Sequence, residues 1–181
     1  MRMSDWLVYG VDDGYFPSHF KGRKGKTILA IVEFVGLEIG RVDFSTITVD
    51  GEDASDTFLK MRGEGVALLD GVIYGGFNYI EPDSRSIVFY SVPPNVQEVE
   101  RALSKHFPND RRRANVILGV MRSLSKISTR QGDVFVYSPG ISLPEIRKLL
   151  DFYQVFDRKP EPIRAAHVIA SALSKYLLGL T

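Results

Sequence analysis

The sequence predicts an α/β domain: a mixed central sheet that begins as an antiparallel three-strand meander and is flanked by helices. Two observations predict it. Three apolar runs rich in β-branched and aromatic residues follow one another within the first fifty positions, and the second and third are joined by too few residues for a crossover helix. Beyond residue 53, further strand-like runs are interspersed with stretches of helical period.

The first run, Trp6 to Val11, lacks polar alternation and reads as a strand buried on both faces. It delivers Asp12 and Asp13 to its C-terminal edge, the edge where open α/β sheets collect ligands. Gly14 supplies a sharp exit from the strand. The following loop, Tyr15 to Lys26, carries Lys21, Arg23, Lys24 and Lys26 among glycines, a phosphate-contacting pattern or a solvated hairpin tip. Thr27 to Val35 and Ile39 to Val49 are the second and third strands. The third runs out into T-V-D-G-E-D-A-S, where Asp53 or Ser55 caps a helix reaching about Arg62. Capping leaves Asp50 and Glu52 without a role.

Gly65 to Asn78 repeats the opening pattern: an apolar strand, then Asp70 and Gly71. Gly75 and Gly76 after it suit a close backbone approach to a ligand or helix. Ser86 to Val92 is a further strand, stopped by Pro93 and Pro94. Asn95 caps a helix to about His106, and Asp110 to Leu124 forms the next. That helix opens with Arg111, Arg112 and Arg113, which oppose the helix dipole and so call for a phosphate or an acidic neighbour. A short hairpin pairs Ile127–Thr129 with Val134–Tyr137. Ser142, Pro144 and Glu145 then open a helix as a capping box, and a last helix runs from Pro160 to about Leu178.

The composition narrows the class. At 181 residues, 44% hydrophobic and 25% charged, the chain reads as one domain, residues 1–181, with an ordinary core. The absence of cysteine excludes disulfides, thiolate metal sites and cysteine nucleophiles. No run reaches the ~20 apolar residues of a membrane span, and no signal-peptide pattern opens the chain, so the expectation is a cytoplasmic protein with no membrane partner. A formal net charge of +1 neither demands nor forbids a nucleic-acid partner.

Two strand-end aspartates side by side repel unless a cation lies near them. Asp12 or Asp13, Asp70 and one acid of the 50–53 group, with His167 from the last helix, form a set suited to Mg2+ or Mn2+, which take carboxylate oxygens and keep sites for water and phosphate. A paired-ion site of that kind cleaves phosphodiesters. The order of elements matches a ribonuclease H-like fold, in which strand-end acids gather over the sheet. The D-x-D of an aspartyl-phosphate enzyme is absent after the first strand.

The motifs G-V-D-D-G-Y-F (10–16), T-V-D-G-E-D-A-S (48–55), L-D-G-V-I-Y-G-G-F-N (69–78) and P-E-P-I-R-A-A-H (160–167) span nearly the whole chain. By them it resembles the endonuclease-dU-like family, found mainly in archaea, which is similar to endonuclease V. The resemblance implies a magnesium-dependent endonuclease of DNA or RNA acting near deaminated bases, with Asp12, Asp50, Asp70 and His167 catalytic. It implies Asp12, Asp50 and Asp70 as metal ligands, with Asp13, Glu52 and Asp53 as supporting or alternative acids. Lys21, Arg23, Lys24, Lys26, Arg111, Arg112, Arg113 and Arg164 would hold the nucleic-acid backbone, and Gly71, Gly75, Gly76 and Asn78 would line the pocket. Three departures stand out. The glutamate upstream of D-G in endonuclease V has no clear counterpart, and Asp50 takes its place. The lysine after the next strand is absent, since that region reads Phe89-Tyr90-Ser91. No aromatic-proline wedge is visible. These departures favour an alternative, a non-catalytic nucleic-acid-binding module of the same fold.

Overall fold

The structure, a computed structural model, describes residues 6–179. Three strands, β1 (Leu7–Asp13), β2 (Lys26–Val35) and β3 (Glu38–Thr48), form the antiparallel meander. Helix α1 (Ala54–Met61) leads to β4 (Val66–Asp70), which lies parallel to β1. A small separate hairpin, β5 (Ile73–Tyr74) and β6 (Asn78–Tyr79), precedes β7 (Ser86–Tyr90). Then come α2 (Val96–His106), α3 (Arg111–Arg122), the hairpin β8 (Ser125–Thr129) and β9 (Gly132–Tyr137), α4 (Leu143–Tyr153) and α5 (Glu161–Leu177). The seven long strands make one mixed sheet in the order β3-β2-β1-β4-β7-β9-β8.

Burial on both faces explains why β1 lacks alternation. Tyr9 and Val11 join a core with Leu29, Ile31 and Ile47 under α1, α2 and α3. Val8 faces the other way, with Val32, Leu68 and Ile87 under α4 and α5. The sheet is the middle of three layers.

Two glycines of this first motif set the distance of α5. A Cβ on Gly10 would overlap the backbone of Pro162, and one on Gly14 would overlap Ala170 and Ser174. Gly14 thus serves close helix packing, with no positive φ, where the sequence suggested a conformational exit. The cap of α1 also differs. Asp53 stands at the N-cap, but its carboxylate is drawn back to Thr48 and to Asn78 Nδ2, and the Ser55 hydroxyl donates to the carbonyl of Tyr79. Asn78 Oδ1 accepts the Ala54 N–H at 3.1 Å in their stead. Asn95 and Ser142 cap α2 and α4 as expected, and Asp110, read as the first residue of its helix, stands at the N-cap of α3 and accepts the Arg113 N–H. Among the described residues no helix is long and apolar enough to cross a membrane.

Candidate active site

The parallel register of β1 and β4 pairs Val11 with Leu69, so Asp12 and Asp70 emerge side by side from neighbouring strand ends. Asp12 is only 5% exposed. Its Oδ1 accepts the N–H of Asp13 at 2.8 Å, and its Oδ2 lies 2.8 Å from Nδ1 of His167. Close packing of α5 on Gly10 and Gly14 is what brings His167 over β1. When Asp12 is ionised and accepts from Nδ1–H, the Nε2 nitrogen of His167 is left with its lone pair. Asp70 Oδ2 receives Lys159 Nζ at 2.8 Å, from the loop before α5. Asp13 Oδ2 accepts the N–H of Gly75 and ties β1 to the β5–β6 turn.

These five residues line one open cleft of about 560 Å3, with Tyr15, Phe16, Ser171 and Lys175 at its margins. Burial, then the charges of Asp70 and Asp13, push the Asp12 carboxyl up to about 9. Burial pushes Asp13 up as well. Three carboxylates lining one cleft, Asp12 buried and Asp13 and Asp70 half-buried, with only partial cationic relief from Lys159, are an arrangement that binding a cation would relax. Among the described residues no three His, Asp or Glu side chains already close on a common point as a cage. The oxygens of Asp12, Asp13 and Asp70 are nonetheless the hard donors that Mg2+ takes, one or two at a time, with water and phosphate completing the shell.

Asp50 is not brought to this cluster. It sits at the end of β3 with φ 56°, and its oxygens accept the N–H groups of Gly22 at 2.7 Å and Phe77 at 2.8 Å. Glu52 pairs with Arg23 and Arg113, while Asp53 holds Thr48 and Asn78. The acid that joins Asp12 and Asp70 is therefore Asp13. Asp50 lines a second cavity of about 690 Å3, walled by Phe16, Phe77, Phe107 and His106 and flanked by Lys21 and Lys24. Phe16 borders both cavities.

The basic residues divide. Lys21 and Lys24 face the second cavity, whereas Arg23 is paired with Glu52 and Lys26 with Thr48 and Asp53. Arg111 is exposed and Arg112 pairs with Glu81. Arg113 is 0% exposed and cannot reach a phosphate on the surface. Its guanidinium donates to the carbonyls of Asp50 and Phe77 at 3.1 and 3.0 Å, pairs with Asp110 and Glu52, and lies 4.0 Å from the centre of the Phe107 ring. The acidic neighbour, one of two explanations for the arginine run, is the one realised here. Arg164 is likewise occupied, by Asp157 at 2.7 Å and Glu161 at 3.1 Å.

Of the expected pocket residues, Gly75 and Gly76 form the β5–β6 turn at φ 51° and 82°, and a Cβ on Gly76 would overlap the Asp50 carboxylate. Gly71, at φ 82°, lies under the Tyr90 ring. Asn78 is fully buried and structural. Sequence reasoning missed Lys159, Phe16, Phe107 and His106. Lys159 directly precedes P-E-P-I-R, so its adjacency to a site motif was the available signal.

Comparison with known proteins gives the family and the fold. The family described as Endonuclease dU matches residues 4–174. A UPF0215 protein of Sulfurisphaera tokodaii is 43% identical over 176 residues, covering 96% of this chain and 97% of its own. A UPF0215 protein of Thermococcus gammatolerans is 33% identical, covering 92% and 91%. Among solved structures, a protein of unknown function from Archaeoglobus fulgidus superposes with TM-score 0.77 at 23% identity, over 93% of this chain and 98% of its own. The catalytic domain of human endonuclease V is similar at TM-score 0.51 and 15% identity, over 97% and 85%. Ciona intestinalis endonuclease V, solved with a DNA containing an inosine followed by a ribo-adenosine, gives 0.50 and 14%, over 96% and 86%. These last likenesses concern the fold.

Proposed function

The chain belongs to the endonuclease dU family, and from that premise we propose that it is a metal-dependent nuclease of ribonuclease H-like architecture, hydrolysing phosphodiester bonds in nucleic acid. One observation carries the proposal: buried Asp12 and half-buried Asp70 stand side by side at adjacent parallel strand ends, with a histidine on one and a lysine on the other.

In this reading Asp12 and Asp70 hold Mg2+ or Mn2+, and Asp13 replaces Asp50 as the third acid. The ion, when bound, lowers the pKa of a water and offsets charge on the phosphate. Asp12 fixes the His167 ring through Nδ1, so Nε2 is free to take or return a proton in the cleft. Lys159, held on Asp70, adds a cation where a phosphate would enter. The second cavity supplies aromatic faces for a base drawn out of its stack, and Lys21 and Lys24 hold the adjoining backbone. A deaminated base is the reading that the family resemblance favours.

The test measures cleavage of end-labelled DNA and RNA bearing uracil or inosine, with Mg2+, Mn2+ or chelator, by wild type and Asp70→Asn. Metal-dependent cleavage that falls by about 100-fold or more in the variant supports the proposal. Binding of these strands without cleavage under any metal overturns it in favour of the non-catalytic module. Among the described residues no preformed metal cage stands, and that is the observation favouring this second reading.

A further inference from the structure

The sheet ends at β3, and among the described residues its outer part is left exposed on the α5 side. α5 packs on β1 and β2, through Ala170 against Ile28 and Ala30 and through Ile163 and Ala166 near Val32 and Phe34. The β2–β3 register continues that face outward, with Phe44 beside Ala30, Val42 beside Val32 and Ile39 beside Phe34. These three side chains are exposed by 44, 42 and 54%. The backbone of the edge is also open. Phe44 and Thr48 donate their N–H groups to the side chains of Asp43 and Asp53, so the even-numbered residues from Val42 to Thr48 turn their hydrogen-bonding groups away from β2. An edge strand of this length with an apolar face is a template for another strand.

We propose that β3 is the interface of a two-fold dimer, pairing antiparallel with β3 of a second copy in a register centred on Val42. The occupant follows from self-complementarity. Centred on Val42, the strand sets Arg41 opposite Asp43 of the second copy, and Asp43 opposite its Arg41. Both pairs fall at the non-hydrogen-bonded positions, where opposed side chains approach most closely. Gly40 is the extra residue of a bulge at the Glu33–Phe34 step of β2, so the regular alternation of β3 holds from Arg41 onward. Shifting the centre to Asp43 would oppose two carboxylates. Shifting it to Phe44 would set Arg41 against Ile47, which is buried in the core.

Within one chain, the Asp43 carboxylate bonds only the N–H of Phe44, at 2.9 Å, and reaches no cation among the described residues. Strand pairing offers that N–H a carbonyl and releases Asp43 to the arginine opposite. The two-fold axis joins two apolar faces into one, as an isologous contact requires. β3 is separated from β1 by β2, so the pairing uses none of the residues of the Asp12–Asp70 cleft and does not depend on the proposed chemistry.

Sedimentation velocity over a dilution series tests it, with thermal melts to confirm folding. Wild type sediments as a dimer. Asp43→Arg places like charges opposite each other twice and raises the dissociation constant about 30-fold. Arg41→Asp combined with Asp43→Arg reverses both signs and restores the dimer. Val42→Glu opposes a carboxylate to itself on the axis and serves as the second disrupting variant should Asp43→Arg fail to fold. A wild type that is monomeric throughout the series overturns the proposal. So does a dimer whose dissociation constant neither disrupting variant moves, or a folded double variant no tighter than Asp43→Arg.

Discussion

At the scale of single residues, Asp12 bears the largest electrostatic strain of the site. Its carboxyl is pushed up to about 9, first by burial and then by Asp70 and Asp13. A raised carboxyl means that the folded chain holds more protons than the unfolded one between about pH 4 and 9, so stability falls as pH rises through that window. In metal-free protein the melting temperature is therefore expected to decline from mildly acidic toward alkaline pH. Asp12→Asn, which keeps the shape and discards the titration, flattens that slope; parallel slopes in scanning calorimetry would refute the assignment. Tyr153 offers a second case. Its hydroxyl is buried and has no hydrogen-bond partner among the described residues, while the ring packs edge-on to Phe34. Tyr153→Phe removes an unsatisfied polar atom and is expected to stabilise by about 1 kcal/mol, seen as a higher denaturation midpoint. A lower midpoint would mean that the hydroxyl has a partner in solution.

At the scale of elements, the geometry of the second cavity depends on how the β5–β6 turn, the end of β3 and the start of α3 are tied together. Arg113 makes that tie. It donates to Asp50 and Phe77 carbonyls from two segments and is fixed by Asp110 on its own helix. Arg113→Met fills similar volume but leaves both carbonyls without their donor and removes the counter-charge of Asp110, which its arginine helps hold below the usual carboxylate range against the opposing effect of burial. A loss of about 3 kcal/mol is expected, in line with breaking a buried ion pair by one partner. The readout that distinguishes this role from general packing is local. Hydrogen exchange should accelerate at the Phe77 amide, which Asp50 Oδ1 accepts, more than at β7 in the sheet centre. Uniform acceleration would assign Arg113 to global stability alone.

At the scale of the whole molecule, the sequence made the sheet legible because β1 and β4 carry apolar runs without alternation, and each ends in aspartate and glycine. That pattern needs no partner to be read, and it located Asp12 and Asp70. Asp50 was not legible in the same way. A loop acid reads alike whether it faces a metal or accepts two backbone N–H groups, and only the φ of 56° and the neighbouring Gly76 decide between them. Arg113 misled for the same reason, since charge in sequence says nothing of burial, and Lys159 escaped because it reaches Asp70 across 89 positions. The assembled cluster makes a prediction for the entire fold. A cation that binds the folded state alone stabilises it by about 2.7 kcal/mol at a hundred times its dissociation constant, which for a chain of this size raises the melting temperature by roughly 5–10 °C. Because the ion must displace the proton that Asp12 retains below about 9, this gain should grow as pH rises toward that value, opposite in sign to the metal-free slope. Differential scanning fluorimetry with Mg2+ and Mn2+ at several pH values, on wild type and Asp70→Asn, reads both. A rise confined to wild type and widening with pH fits a carboxylate metal site; equal rises in the two proteins place any bound ion away from Asp70.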